Sequence, residues 1–253
     1  VEYFTPILNF PEVAILGVGA IQQALAFNEE GEVVQKDYLP LSLSFDHQVI
    51  DGLPAAEFLA QEGFEVTYLA PNKEGSVEVS AIEKALREDT RLVSIMTVNN
   101  ETGARFPIEE IAALLKETPT YFHTDAVQAF AQEELNVDGI DYLTASGHKI
   151  YAPKGIGFLY KSKDAPLHAL IKGGGQELGF RAGTENVPYI LGLEKAMQIV
   201  VAKRDELVQN YQELREYLTA KLSERGIEFE FNGVANPKNP HICNLWLKGR
   251  KAT

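Results

Sequence analysis

The chain contains 253 residues, of which 45% are hydrophobic and 23% are charged, a balance typical of folded globular proteins. Thirty-six acidic residues against 23 basic residues give a net charge of −13, which disfavours binding to nucleic acid. The single cysteine, Cys243, excludes an internal disulfide and a cysteine-rich metal site, and it fits a reducing compartment. We therefore expect a cytoplasmic protein with no signal peptide, no membrane helix, no metal site and no nucleic-acid partner.

The first 59 residues have the pattern of strands and turns. Apolar, β-prone segments flank the sequence NEEG at Asn28–Gly31, and this arrangement predicts a β-hairpin or meander. After Asp51 and Gly52, residues 53–63 have the pattern of one short helix that ends at Gly63.

From Phe64 the pattern changes to strands that alternate with helices. Ser80 and Glu83 form a potential capping box at the start of one helix, and Pro107 is suited to the first turn of another. The predicted strands are residues 64–70, 91–98, 121–128, 141–149 and 155–161. Alternation of this kind predicts an α/β fold with a mostly parallel sheet and helices on both faces.

The last part of the chain begins with a long helical tract from Val187 to Arg225 that Gly226 ends. Residues 227–231 and 241–249 then have the pattern of the first strands of a second, smaller sheet. Cys243 lies within the second of these apolar segments, and we expect it to be a buried structural thiol. The predicted division of the chain is residues 1–59, 60–190 and 191–253.

Polar residues cluster at the carboxyl ends of the predicted strands, where parallel sheets bind their ligands. Lys149 follows a strand in the sequence SGHKIYAPKG, a position from which an amine could attack a carbonyl carbon. Ser146 and His148 lie beside it and could donate hydrogen bonds to a phosphate.

A second polar group follows the preceding strands. Asp125, with Gln128 three residues later, could keep a pyridine nitrogen protonated, and Asn100 could bind a ring substituent. Taken singly, each residue has an ordinary structural explanation, such as a surface lysine or a helix-capping aspartate. Only their order and spacing favour a pyridoxal-phosphate site.

Residues 58–253 closely resemble the cysteine desulfurases of the class V aminotransferase superfamily. The resemblance lies in GFEVTYL, SIMTVNNETG, FHTDAVQ, SGHKIYAPKGIGFLY, GGGQE and RAGTENVP, in family order and spacing. It implies the type I fold of pyridoxal-phosphate enzymes, with Lys149 as the Schiff-base lysine and a dimer interface near Arg181 and the GGGQE loop. It assigns the other cofactor contacts to Asn100, Asp125, Gln128, Ser146, His148 and Thr184, the last across the dimer interface.

The resemblance also implies a reaction and its partners. The family removes sulfur from L-cysteine as a protein persulfide, which yields alanine and supplies a sulfur acceptor protein. The family's persulfide cysteine and substrate-carboxylate arginine fall at positions beyond Thr253, and its N-terminal cofactor-binding section has no counterpart in residues 1–57. We therefore expect cofactor binding without turnover.

Residues 1–59 resemble a different family, the catalytic domain of dihydrolipoamide acyltransferases (E2). The matching segments are FTPILNFPEVAILGVGAI and PLSLSFDHQVIDGLPAAEFL, which contain the motif His-x-x-x-Asp-Gly at His47, Asp51 and Gly52. In that family His47 would be the general base that deprotonates a thiol. Two alternatives to the desulfurase function therefore stay open: acyl transfer through His47, or a non-catalytic chain that joins two enzyme fragments within the helix at 55–62.

Overall fold

A computed structural model describes residues 14–18, 22–27, 33–38, 41–45, 59–60, 63–233 and 241–249, and the structural statements that follow concern these residues. The internal contacts of the chain divide it into two compact units, Val1–Tyr68 and Leu69–Thr253.

The first unit contains four antiparallel strands, β1 (Ala14–Val18), β2 (Gln22–Phe27), β3 (Val33–Tyr38) and β4 (Leu41–Phe45). β2 pairs with β3, and β1 pairs with β4. Three residues separate β1 from β2 whereas two separate β3 from β4, so the register shifts by one residue between the two ladders. The predicted hairpin is confirmed, while the NEEG turn and most of the predicted helix at 53–63 lie outside the described residues.

The second unit is built around a four-stranded sheet in the order β5 (Leu92–Ser94), β6 (Tyr121–Asp125), β7 (Tyr142–Ser146) and β8 (Gly157–Lys161). The pairs β5–β6 and β6–β7 are parallel, and β7–β8 is antiparallel. Only residues 147–156 connect β7 to β8, which is too short for the crossover that a parallel pair requires. The predicted α/β fold with a mostly parallel sheet is confirmed.

Four helices accompany this sheet: α1 (Val79–Ala85), α2 (Ile108–Leu115), α3 (Val187–Ala202) and α4 (Arg204–Glu224). α2 shows how the core forms, because its buried residues Ile108, Ile111, Ala112 and Leu115 recur on one helical face. They belong to the same apolar cluster as Phe122 of β6, which is fully buried.

The predicted strand at 64–70 is wrong. These residues form no strand, and Phe64 and Tyr68 are 55% and 62% exposed. A strand requires a hydrogen-bonded neighbour, and none of the described strands pairs with this segment.

The predicted capping box is also wrong. α1 begins at Val79 with Glu78 as its N-cap residue, so Ser80 lies inside the first turn rather than at the cap. The Glu78 carboxylate accepts a hydrogen bond of 2.7 Å from the Asn72 amide and does not cap the helix.

The long helical tract consists of two helices that meet at Lys203. Asp205 and Glu206 lie in the first turn of α4, where acidic side chains stabilise a helix N-terminus. No helix among the described residues is long and apolar enough to cross a membrane.

The predicted second small sheet is confirmed as an antiparallel pair, β9 (Phe229–Phe231) and β10 (Leu245–Leu247). The prediction for Cys243 is wrong, because β10 begins two residues later and the cysteine is exposed. The apolar pattern of residues 241–249 predicts a strand but does not show that it begins only at Leu245.

Candidate functional site

Polar side chains gather at the carboxyl edge of the main sheet. Asp125 is the last residue of β6 and Ser146 is the last residue of β7. Since β6 and β7 are parallel, with Asp125 opposite Thr144, both residues lie at the same edge of the sheet. The backbone pairing of β5 continues past Ser94, because the Thr97 N–H donates to the Asp125 carbonyl at 2.8 Å.

The loop that carries Asn100 follows this extension of β5. An antiparallel bridge between Val98 and Arg105 closes the loop. The side-chain oxygen of Asn99 accepts hydrogen bonds of 2.9 Å from the backbone N–H groups of Glu101 and Thr102. Asn100 is half-buried, and its amide donates to the Glu101 carboxylate at 3.1 Å. The loop is therefore held in shape by its own side chains.

Lys149 lies in a single 3₁₀ turn, Gly147–Ile150, that follows β7. Ile150 is buried and anchors the turn, whereas Lys149 is exposed and makes no hydrogen bond or ion pair with another described residue. Tyr151 ends the turn with a φ of +65°, a conformation that side-chain-bearing residues adopt only when their surroundings impose it. The Ser146 hydroxyl and the Nδ1 atom of His148 are 2.7 Å apart.

Asp125 begins the turn that follows β6. Its Oδ1 atom accepts a hydrogen bond of 2.8 Å from the Val127 N–H, and its side chain is exposed. Gln128 is half-buried in the same turn. Asn100, Asp125 and Lys149 thus follow three adjacent strands at one edge of the sheet.

Thr184 and Arg181 lie in a different segment, just before α3. Both side chains are exposed, and the Arg181 guanidinium donates to the Ala182 carbonyl at 3.0 Å. The side-chain oxygen of Gln176, in the GGGQE sequence, accepts a hydrogen bond of 3.1 Å from the Gly183 N–H. Within the described residues, Thr184 has no hydrogen bond to the residues at the sheet edge. His47 lies outside the described residues.

Sequence reasoning missed His123, which lies two residues before Asp125 on β6. Its Nδ1 atom is 2.7 Å from the Ser94 hydroxyl, and its Nε2 atom is 3.4 Å from the Thr144 hydroxyl. Burial lowers the pKa of this imidazole, against a smaller opposing effect of the Asp125 carboxylate. The neutral ring therefore links three neighbouring strands close to their carboxyl ends.

A second group that sequence reasoning missed lies around Lys149. The ring of Tyr211, on α4, is 6.0 Å from the ring of His241, and a hydrogen bond with Tyr151 raises the pKa of Tyr211 to about 12. Burial lowers the pKa of His241, and the positive charge of Lys149 lowers it further. No local sequence signal could have revealed this group, because its members come from three separate segments.

Comparison with known families identifies the class of protein. Residues 45–253 match the family model described as aminotransferase class-V, and the chain therefore belongs to this family. Residues 1–63 match the model of the catalytic domain of 2-oxoacid dehydrogenases acyltransferase. The resemblance of the larger part to this superfamily is confirmed, and the two matches overlap at 45–63, the region of the predicted join.

Within this family, the chain is similar to proteins named cysteine desulfurase. The chain is 44% identical over 211 residues to the putative cysteine desulfurase IscS 1 of Bacillus subtilis, an alignment that covers 83% of the chain and 55% of the relative. It is 43% identical over 195 residues to the cysteine desulfurase IscS of Dictyoglomus turgidum, covering 76% of the chain and 50% of the relative. The chain thus spans about half the length of the curated relatives it matches.

Solved structures show the same fold. DndA from Streptomyces lividans matches with a TM-score of 0.70 at 40% identity, over 79% of this chain and 57% of that protein. A NifS-like protein matches with a TM-score of 0.70 at 33% identity, over 77% of this chain and 58% of that protein.

Proposed function

We propose that the chain carries the cofactor-binding part of a pyridoxal-phosphate-dependent cysteine desulfurase. Such an enzyme removes sulfur from L-cysteine, forms alanine and passes the sulfur to an acceptor protein. The observation that carries the proposal is the convergence of Asp125, Ser146 and Lys149 at one edge of the sheet. The names of the relatives support the choice of reaction.

The side chains at this edge suit the separate groups of pyridoxal phosphate. Lys149 offers an exposed amine without a hydrogen-bonding partner among the described residues, as attachment to an aldehyde requires. Ser146 and His148 form a hydroxyl–imidazole pair beside it that would bind the phosphate. When bound, the cofactor supplies an electron sink for reactions at the α-carbon of an amino acid.

Asp125 would control the protonation of the pyridine ring. Only its Oδ1 atom has a hydrogen-bond donor within the described residues, so Oδ2 is available to accept a proton-bearing ring nitrogen. Gln128 and Asn100 would bind the ring oxygen from the two adjacent turns. In this proposal, Asn100 and Gln128 orient the ring, Asp125 keeps its nitrogen protonated, and Lys149 holds the cofactor in place.

The proposal includes a homodimer in which Thr184 completes the phosphate site of the partner subunit. Four large apolar side chains in the segment around Arg181 are exposed: Leu170, Ile171, Leu178 and Phe180. Leu178 is 91% exposed and has a φ of +56°, so the backbone holds an apolar side chain outward at an energetic cost. Exposed apolar clusters of this kind mark interaction surfaces.

The experiment is borohydride reduction of the purified chain with pyridoxal phosphate, followed by peptide mapping. We expect a visible absorbance band and a reduced adduct on Lys149, both of which Lys149→Ala abolishes. Lys154→Ala is the matched control, because this exposed lysine lies in the same segment and should leave the adduct unchanged. An adduct on other lysines, or a band that persists in Lys149→Ala, would contradict the proposal.

Acyl transfer through His47 is a second candidate, which the family match of residues 1–63 favours. The test is acetyl transfer from acetyl-coenzyme A to dihydrolipoamide. This candidate requires activity that disappears in His47→Ala and persists in Lys149→Ala.

A further inference from the structure

A short segment near the end of the described chain, His241–Asn244, contacts the loop that carries Asn100. We call it the strap. At one end, the Asn244 amide donates a hydrogen bond of 3.2 Å to the Glu101 carbonyl, in the loop of Asn100. The Asn244 side-chain oxygen accepts a hydrogen bond of 3.0 Å from the amide of Asn232.

The middle of the strap packs against the same loop. Gly103 has a φ of +72°, and a Cβ atom at this position would lie 3.1 Å from the Cβ atom of Ile242. The loop therefore approaches the strap as closely as a glycine allows. On the other side, the Arg215 guanidinium of α4 donates to the Ile242 carbonyl at 3.2 Å.

The other end of the strap packs against α4. The ring of His241 is 6.0 Å from the ring of Tyr211. α4 therefore supports the strap through Tyr211 and Arg215, while Asn244 holds the loop of Asn100.

We propose that Asn244 is a positioning residue for the cofactor site around Lys149. It does not touch the reacting atoms in this inference, which rests on the proposed function of Lys149. Asn244 fixes the loop of Asn100 through a backbone carbonyl. Loss of this contact loosens the loop and weakens cofactor binding.

The test compares the pyridoxal phosphate concentration that half-saturates the Lys149 adduct in matched variants. Asn244→Leu loses the hydrogen bond to the loop together with the bond from Asn232, whereas Asn232→Leu loses only the bond between the two asparagines and leaves the loop contact intact. We expect Asn244→Leu to raise the half-saturating concentration about fivefold, the ratio for one typical hydrogen bond, and Asn232→Leu to leave it within about twofold.

Urea unfolding of both variants, followed by Trp246 fluorescence, separates cofactor affinity from stability. A merely structural role would lower the stability of Asn244→Leu and Asn232→Leu without separating their affinities.

The outcomes separate the two proposals. Equal half-saturating concentrations in Asn244→Leu and Asn232→Leu would overturn the role of Asn244 but leave the proposed function standing. If the unaltered chain forms no adduct on Lys149, the proposed function itself is overturned.

Discussion

The hydrogen bond between Thr97 and Thr124 predicts a specific energetic coupling beneath the candidate site. Their hydroxyl oxygens are 2.8 Å apart, and both residues are fully buried. Thr124 immediately precedes Asp125, and Thr97 lies on the extension of β5 that leads to Asn100. The pair therefore joins the two strands that present these site residues.

The magnitude follows from the burial of both hydroxyl groups. Thr97→Val removes the hydrogen bond and leaves the Thr124 hydroxyl buried without its partner, and Thr124→Val does the converse. We expect each single substitution to lower the free energy of unfolding by about 1.5–2 kcal/mol. The double variant leaves no unpaired hydroxyl and should lose only about 0–1 kcal/mol, which gives a coupling energy of about 2–4 kcal/mol.

The assay is urea unfolding followed by the fluorescence of Trp246, the only tryptophan of the chain. This residue lies on β10, within the unit Leu69–Thr253, so its signal reports on the unit that contains the threonine pair. Additive losses, with the double variant as unstable as the two single variants combined, would refute the coupling.

Three further predictions concern the same unit, each measured by the same urea titration. Phe122→Ala should lower the free energy of unfolding by about 3–5 kcal/mol because the ring is fully buried, whereas Leu170→Ala, at a side chain 94% exposed, should change it by less than about 0.5 kcal/mol. Because burial lowers the pKa of His123, its stabilising contribution is complete above about pH 6.5 and is lost as the pH falls through the lowered value, so His123→Gln should flatten this part of the stability profile. Arg105→Ala should cost about 3 kcal/mol, because this half-buried guanidinium pairs with two carboxylates, while Lys221→Ala, in an exposed ion pair, should cost less than about 1 kcal/mol. Equal losses of stability in Phe122→Ala and Leu170→Ala, or in Arg105→Ala and Lys221→Ala, would contradict the argument from burial. An unchanged slope of stability against pH in His123→Gln would contradict the argument from the lowered pKa.

The sequence predicted secondary structure correctly where the local pattern and the tertiary environment favour the same element. The strands that contain Phe122 and Leu143 alternate with helices in sequence, and both residues are buried in the core. Residues 64–70 have an equally β-prone composition, yet they form no strand because no described strand pairs with them. Local propensity does not reveal whether a partner strand is present.

The candidate site was partly predictable for a related reason. Asp125, Ser146 and Lys149 follow strands, and parallel strands bring their carboxyl ends to one edge whatever the details of packing. Their roles toward a cofactor stay predictions, as do the roles of Thr184 and His47 and the division at residues 59 and 190. The contact of Asn244 with the loop of Asn100 could not be predicted, because it depends on how the chain returns to the sheet after α4.

Consecutive residues were enough to establish the alternation of strands and helices, the family to which the chain belongs and the edge of the sheet that carries the polar residues. These properties depend on local patterning and on motif spacing, both of which can be read along the chain. Three features became known from the folded structure alone: the exposure of Cys243, the neutral pairing of His123 with Ser94, and the contact of the strap with the loop of Asn100. Burial and long-range contacts are properties of the packed chain, because they arise between segments that sequence separates and folding brings together.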